Sequence, residues 1–245
     1  MNILAIIPAR FASTRFPGKP LIDIGGKTMI QRVAERVQQC SEISDVLVAT
    51  DDQRIFDHVA ALGVRCIMTS TQHPSGTERC LEAYQLSGIH ADAIINVQGD
   101  EPFVDVSQLE SLAALISKPH VTLATLAKKI TDTSTLLDPS KVKVVLNTRM
   151  QALYFSRQAI PFVRNAEPTE WVHRHTYYKH LGLYAYKPAT LQAICALPPS
   201  ALELAESLEQ LRWLENGYSM DVGLTEIETP SIDTPEDLEH VKTFL

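Results

Sequence analysis

The first 120 residues alternate between two hydrophobic periods, and that alternation limits the chain to a few folds. Short apolar runs at 3–8, 45–50, 64–68 and 93–98 suit strands buried on both faces. Between them the spacing turns helical. Met29, Ile30, Val33 and Val37 recur on one face, and 54–62, 77–86 and 107–116 read as further helices, with Gly63 stopping the first of these. A βαβα order of this kind predicts an α/β fold: a parallel sheet with helices on both faces. The second half is less regular. Residues 121–130 and 141–147 alternate as antiparallel strands do, 181–186 and 218–227 read as strands, and 161–175 is a loop rich in charge and histidine. Residues 202–216 read as one helix with Leu204, Leu208, Leu211 and Leu214 on one side. A closing helix is predicted over 235–244, with Pro235 at its first position and acids in its first turn. No repeat or low-complexity linker interrupts the chain.

A length of 245 residues with 45% hydrophobic content is enough for one full core. The formal net charge of -7 argues against a nucleic-acid partner. An anionic ligand must then be drawn by local charge against the overall field. No apolar run approaches the ~20 residues that cross a bilayer, and the run at 3–8 is too short for a signal sequence, so no membrane partner is expected. Cys40, Cys66, Cys80 and Cys195 are scattered and form no CxxC pair, which predicts buried thiols in a cytoplasmic protein.

Against this acidic background the loop after the first strand, ARFASTRFPGK, is basic. Arg10, Arg15 and Lys19 fall within ten residues of one another, among Ser13, Thr14 and Gly18. In an open α/β sheet, ligands bind beyond the carboxyl ends of the strands, where this loop begins. Backbone N–H groups, hydroxyls and cationic side chains there make a polyphosphate cradle. It is not a Walker loop, since Pro20 follows Lys19, and no GxGxxG occurs to suggest a dinucleotide. VQGDEP closes another predicted strand at the same edge. Asp100 in it is either a turn residue or a carboxylate placed to hold Mg²⁺ with phosphate oxygens. Asp233 in IDTPEDLE is either the N-cap of the closing helix or a second metal ligand. His173 and His175 have metal-like spacing but no third ligand, and read as loop residues.

IIPARFASTRFPGKPL, VATDD, SGTER, NVQGDEP, ALYFSR, HLGLYAY, LEQLR and IDTPEDLE occur in this order. Together they resemble the 3-deoxy-manno-octulosonate (Kdo) cytidylyltransferases, over nearly the whole chain. The resemblance implies a Rossmann-like nucleotidyltransferase fold as a single domain: residues 1–120 mainly for CTP, 121–230 mainly for the sugar and dimerisation, and 231–245 returning to the core. It implies CTP and Kdo as substrates, Mg²⁺ as cofactor, a homodimer, and a place in lipopolysaccharide synthesis. Arg10, Arg15 and Lys19 would hold the triphosphate, with Arg15, Lys19 and Asp100 as the catalytic set and Asp100 and Asp233 holding magnesium. Pro8, Ala9, Ser13, Ala49, Thr50 and Asp51 would line the nucleotide pocket. Ser75, Gly76 and Arg79 are either a base-recognition loop or simply a helix start. For the sugar, Arg157 and Arg164 are candidates for the carboxylate. Gln98, His180, Tyr184, Glu209 and Gln210 are candidates for the hydroxyls.

Overall fold

The computed structural model describes residues 1–12, 16–230, 232, 234 and 237–238. The four apolar runs of the first half form β1 (Ile3–Ala9), β4 (Asp45–Thr50), β5 (Arg65–Met68) and β6 (Ala93–Asn96), and they lie parallel in the order β6-β1-β4-β5. A two-residue hairpin, β2 (Asp23–Ile24) with β3 (Lys27–Thr28), leads into helix α1 (Met29–Gln38). Helices α2 (Gln53–Ala61), α3 (Gly76–Ser87) and α4 (Val106–Ile116) follow β4, β5 and β6. All four helices are capped by a side chain: Thr28, Asp52, Ser75 and Asp105 each accept a backbone N–H of the first turn.

The continuous apolar character of β1 has its reason in two cores. Ile3, Ala5, Ile7 and Ala9 pack on one face with residues of α1, α2 and α4. Leu4 and Ile6 pack on the other with Cys80 and Ala83 of α3. Each such isoleucine or leucine, fully buried, contributes roughly 1.5–3 kcal/mol.

The same sheet continues through the second half. β7 (Leu123–Ile130), β10 (Tyr177–Tyr186) and β11 (Asp221–Leu224) extend it in the order β11-β7-β10-β6. β10 runs antiparallel to both β6 and β7, while β11 is parallel to β7. The end of β10 pairs with β6, and its start pairs with β8 (Lys143–Leu146), which pairs in turn with β9 (Ala152–Ser156). A register shift between Leu181 and Tyr184 separates these two uses of β10. Short helices α5 (Thr133–Leu137) and α6 (Trp171–Arg174) pack beside it: Leu136 and Trp171 cluster with Ile130 and Tyr177. Helix α7 (Pro188–Cys195) begins at a proline and covers the second core with Leu191 and Ile194.

The structure corrects one helix. Residues 202–216 are not continuous: α8 (Ala201–Glu206) stops, and α9 (Gln210–Glu215) starts afresh. Ser207 adopts the left-handed conformation, φ 52 and ψ 50, and ends α8 as glycine usually does. The leucine stripe breaks there too. Leu208 and Leu211 are buried, whereas Leu204 is 69% exposed. The strand predicted at 218–227 shortens to β11. Nearly all of the predicted closing helix lies outside the described residues, but Leu238 packs with Ile24, Met29 and Ile232.

A non-glycine residue in the left-handed region costs about 1 kcal/mol. Ser207→Gly is expected to stabilise the protein by roughly 0.5–1 kcal/mol, raising Tm by about 1–4 °C in calorimetry. Ser207→Val should lower it.

Candidate active site

At the carboxyl ends of β1 and β6 the sheet opens into a cleft of about 190 Å³. Pro8, Ala9 and Arg10 form one wall, Lys19 and Asp100 the floor, and Ser75, Gly76 and Arg79 an adjoining wall that meets Pro8 and Gln98 at Gly76. Residues predicted from three separate motifs therefore meet at one place. Ala49 and Thr50 are buried at the end of β4 and do not line it. Ser13, Arg15 and Asp233 lie outside the described residues.

Two glycines decide how closely the walls approach. At Gly18, φ is +73, and its N–H donates to the carbonyl of Phe11 at 2.9 Å, folding the basic loop back on itself. The guanidinium of Arg54 lies 3.3 Å from the centre of the Phe11 ring, holding the loop from the side of α2. At Gly99, a Cβ atom would sit 2.7 Å from the carbonyl oxygen of Pro8. Only glycine lets the backbone that carries Asp100 lie against the end of β1.

Lys19 is nearly buried, at 9% exposure. Its Nζ donates to Oδ2 of Asp100 at 2.8 Å and to the carbonyl of Ile232 at 2.6 Å. The N–H of Ile232 donates to the carbonyl of Asp100 at 3.2 Å. Asp100 keeps 33% of its side chain exposed. An oxygen donor at a cleft wall suits Mg²⁺, which takes one or two carboxylates and completes its shell with phosphate and water. Among the described residues no group of three or more His, Cys, Asp or Glu side chains could hold a metal without such help.

On the adjoining wall Ser75 is the N-cap of α3, and its Oγ accepts the N–H of Glu78 at 3.2 Å. Arg79 is 4% exposed, and its guanidinium donates to Asp51 at 2.6 Å, to Thr69 Oγ1 at 2.6 Å and to the carbonyl of Ser70 at 3.3 Å. Asp51 thus acts on the cleft through Arg79. Sequence reasoning missed His73 and Pro74, which also line this wall. His73 Nε2 lies 2.5 Å from Glu82, which also accepts the N–H of Ser70 at 2.7 Å. Burial pushes the Glu82 carboxyl up, but these two hydrogen bonds together with the nearby charges of His73 and Arg79 outweigh it, and the net shift is downward. Their signal in the sequence was simply adjacency to SGTER.

The second half reaches the start of α3 through Glu209. This residue precedes α9, and its Oε2 accepts the hydroxyl of Thr77 at 2.6 Å. Burial raises its pKa, and hydrogen bonds from Thr77 and Ser75 oppose that rise. Gln98 donates to Asn96 at 3.2 Å, and Tyr184 lies opposite Asn96 in the ladder between β10 and β6. The Tyr184 ring stands edge-on to Trp213 at 5.4 Å. Burial, with the Glu209 carboxylate nearby, raises its phenol and keeps it neutral. His180 is held by Thr125 at 3.0 Å and by the edge of Phe155 at 4.9 Å, and burial pushes it down to about 3. It is a neutral imidazole at physiological pH. Gln210 is 4% exposed.

Of the seven predicted sugar residues only Gln98 lines the cleft, and Arg157 and Arg164 lie away from the contacts just described. The Arg157 guanidinium donates to the carbonyls of Glu206 at 2.8 Å, Ser207 at 3.3 Å and Pro139 at 3.4 Å, so it caps the end of α8. The ammonium of the fully buried Lys143 takes the Arg157 carbonyl in turn. Arg164 is exposed in the loop before α6.

The family model described as Cytidylyltransferase matches residues 4–227. The chain is 57% identical to the 3-deoxy-manno-octulosonate cytidylyltransferase of Cytophaga hutchinsonii, over 98% of this chain and 96% of that one. It is 54% identical to the enzyme of the same name from Bacteroides thetaiotaomicron, over 100% and 98%. A solved CMP:2-keto-3-deoxy-manno-octonic acid synthetase complexed with CTP superposes with a TM-score of 0.92 at 43% identity, covering 100% of this chain and 98% of that one. A 4-diphosphocytidyl-2C-methyl-D-erythritol synthase from Anaerococcus prevotii shares the fold at a TM-score of 0.64 and 15% identity, covering 99% and 97%. Similarity at this level, end to end along both chains, means that the chain belongs to the 3-deoxy-manno-octulosonate cytidylyltransferases, a family of nucleotidyltransferase enzymes.

Proposed function

We infer that this protein transfers CMP from CTP to Kdo and releases pyrophosphate, supplying CMP-Kdo for lipopolysaccharide synthesis. The observation that carries the inference is the Lys19–Asp100 pair, set beneath a basic loop at the carboxyl edge of the sheet. A solved relative with the same fold is described as a complex with CTP. The anomeric hydroxyl of the sugar attacks the α-phosphorus in line, and pyrophosphate leaves. Such chemistry is mostly positioning and charge neutralisation. Arg10 at the cleft wall and Lys19 beneath it offset the charge that builds on the leaving group, and Arg15 joins them through the resemblance. Glu209, Gln98, Tyr184 and the neutral His180 are suited to sugar hydroxyls, because they present fixed donors and acceptors in a buried setting. Asp100 would hold Mg²⁺, with Asp233 as the second ligand that the resemblance supplies. Bound there, the ion would neutralise phosphate charge and lower the pKa of the attacking hydroxyl.

All four cysteines are free, which suits a reducing cytoplasm, and among the described residues no helix is long and apolar enough to cross a membrane. A homodimer through the second half is supported by Leu153 on β9 and Phe162 in the following loop, exposed by 58% and 73%. Sedimentation equilibrium is expected to give twice the chain mass, and Leu153→Glu to shift it towards the monomer.

Pyrophosphate release should require both CTP and Kdo and should stop in EDTA. Asp100→Ala is expected to lower kcat by roughly 10²–10³. Release without Kdo, or full activity in EDTA, would refute the assignment. Gly99→Ala tests the close approach: overpacking against Pro8 should cost about 1–3 kcal/mol in thermal unfolding. Because the shift displaces Asp100, kcat should fall by about tenfold or more even below the melting transition.

A further inference from the structure

Glu209 occupies the N-cap position of α9, yet its side chain does not cap that helix. Instead it reaches to the start of another helix, 132 residues earlier in the chain, where Thr77 Oγ1 donates to it at 2.6 Å. Thr77 is only 3% exposed, so the bond is shielded from water. The Ser75 hydroxyl also lowers the pKa of the same carboxylate. The N-terminus of the twelve-residue α3 adds favourable partial charge. A carboxylate in such a setting depends on such donors, and the Thr77 hydroxyl still leaves it acceptor sites for a ligand. Nearby, Arg212 on α9 binds Glu203 through Nε at 2.7 Å and Nη2 at 2.5 Å, and its Nη1 lies 3.9 Å from Glu78 of α3. The helix that borders the nucleotide cleft and the helix that carries the sugar candidates are therefore tied together at their first turns.

We propose that Thr77 is a positioning residue for the sugar side of the reaction: its hydroxyl sets the Glu209 carboxylate, and with it the start of α9, against the wall of the nucleotide cleft. The proposal rests on the reading that Glu209 meets the sugar. Thr77→Val keeps the shape and removes the donor, whereas Thr77→Ser keeps the donor and removes a methyl group. Steady-state pyrophosphate release is measured for both, and for Glu209→Gln, varying CTP and Kdo separately, with thermal unfolding to confirm that each is folded. Thr77→Val is expected to raise KM for Kdo about tenfold or more, while KM for CTP stays within about twofold. Thr77→Ser should return the KM for Kdo to within about threefold of the parent. Thr77→Val added to Glu209→Gln should cause little further loss, because the hydroxyl acts through the carboxylate. A folded Thr77→Val with unchanged KM for Kdo would overturn the proposal. So would a Thr77→Ser as damaged as Thr77→Val, or a KM for CTP that rises equally. If Glu209→Gln raises KM for Kdo and Thr77→Val does not, Thr77 is refuted and the sugar reading stands. If Glu209→Gln itself leaves KM for Kdo unchanged, the sugar reading fails, and the role of Thr77 fails with it.

Discussion

One nearly buried ammonium joins three distant parts of this chain. Lys19 Nζ meets a carboxylate 81 residues away and a carbonyl 213 residues away, both within 2.8 Å. An isolated ammonium would not stay in such a place, because its desolvation is costly unless charge and hydrogen bonds compensate. Its partners must therefore converge wherever it lies. The turn at Gly18 brings Lys19 under the sheet edge, the missing Cβ of Gly99 brings Asp100 against β1, and the return of the C-terminal segment brings Ile232. The floor of the cleft exists because these three conditions hold together.

The two halves of the chain are then fused rather than merely adjacent. β10 gives its end to the parallel sheet and its start to β8, so one strand spans both regions. The register shift between these uses brings Tyr184 opposite Asn96 at the carboxyl end of β6. Thr77 and Glu209 close the same seam from the helical side. Burial keeps His180 and Tyr184 neutral near this seam.

The first half of the fold was legible because parallel strands buried on both faces read as unbroken apolar runs, and its helices begin at residues that cap. The second half was not, for local reasons. Nothing in ALELAESLEQLRWLE marks Ser207 as left-handed, since serine there is set by the packing of Leu208 and Leu211 below and by Arg157 above. Once the helix breaks, Glu209 is no longer a mid-helix side chain but a residue at a corner, free to reach α3. Arg157 looked like a fork for a carboxylate because a guanidinium is one. Three of its N–H groups bond to carbonyls in the structure, and sequence carries no mark that separates the two uses.

The pairing of cations resolves how an acidic protein draws a polyphosphate. Arg79 is bound to Asp51, Arg54 to Asp52 and Arg212 to Glu203, so these guanidinium groups add little net field and instead fix the walls. Lys19 is balanced by Asp100. Arg10 is exposed at the cleft wall and has no ion-pair partner among the described residues. Paired charges thus supply rigidity, while a charge left unpaired supplies attraction at the cleft itself. A net charge of -7 then does not oppose binding, because attraction acts within about one Debye length, ~8 Å at physiological salt, and charges on the far surface are screened.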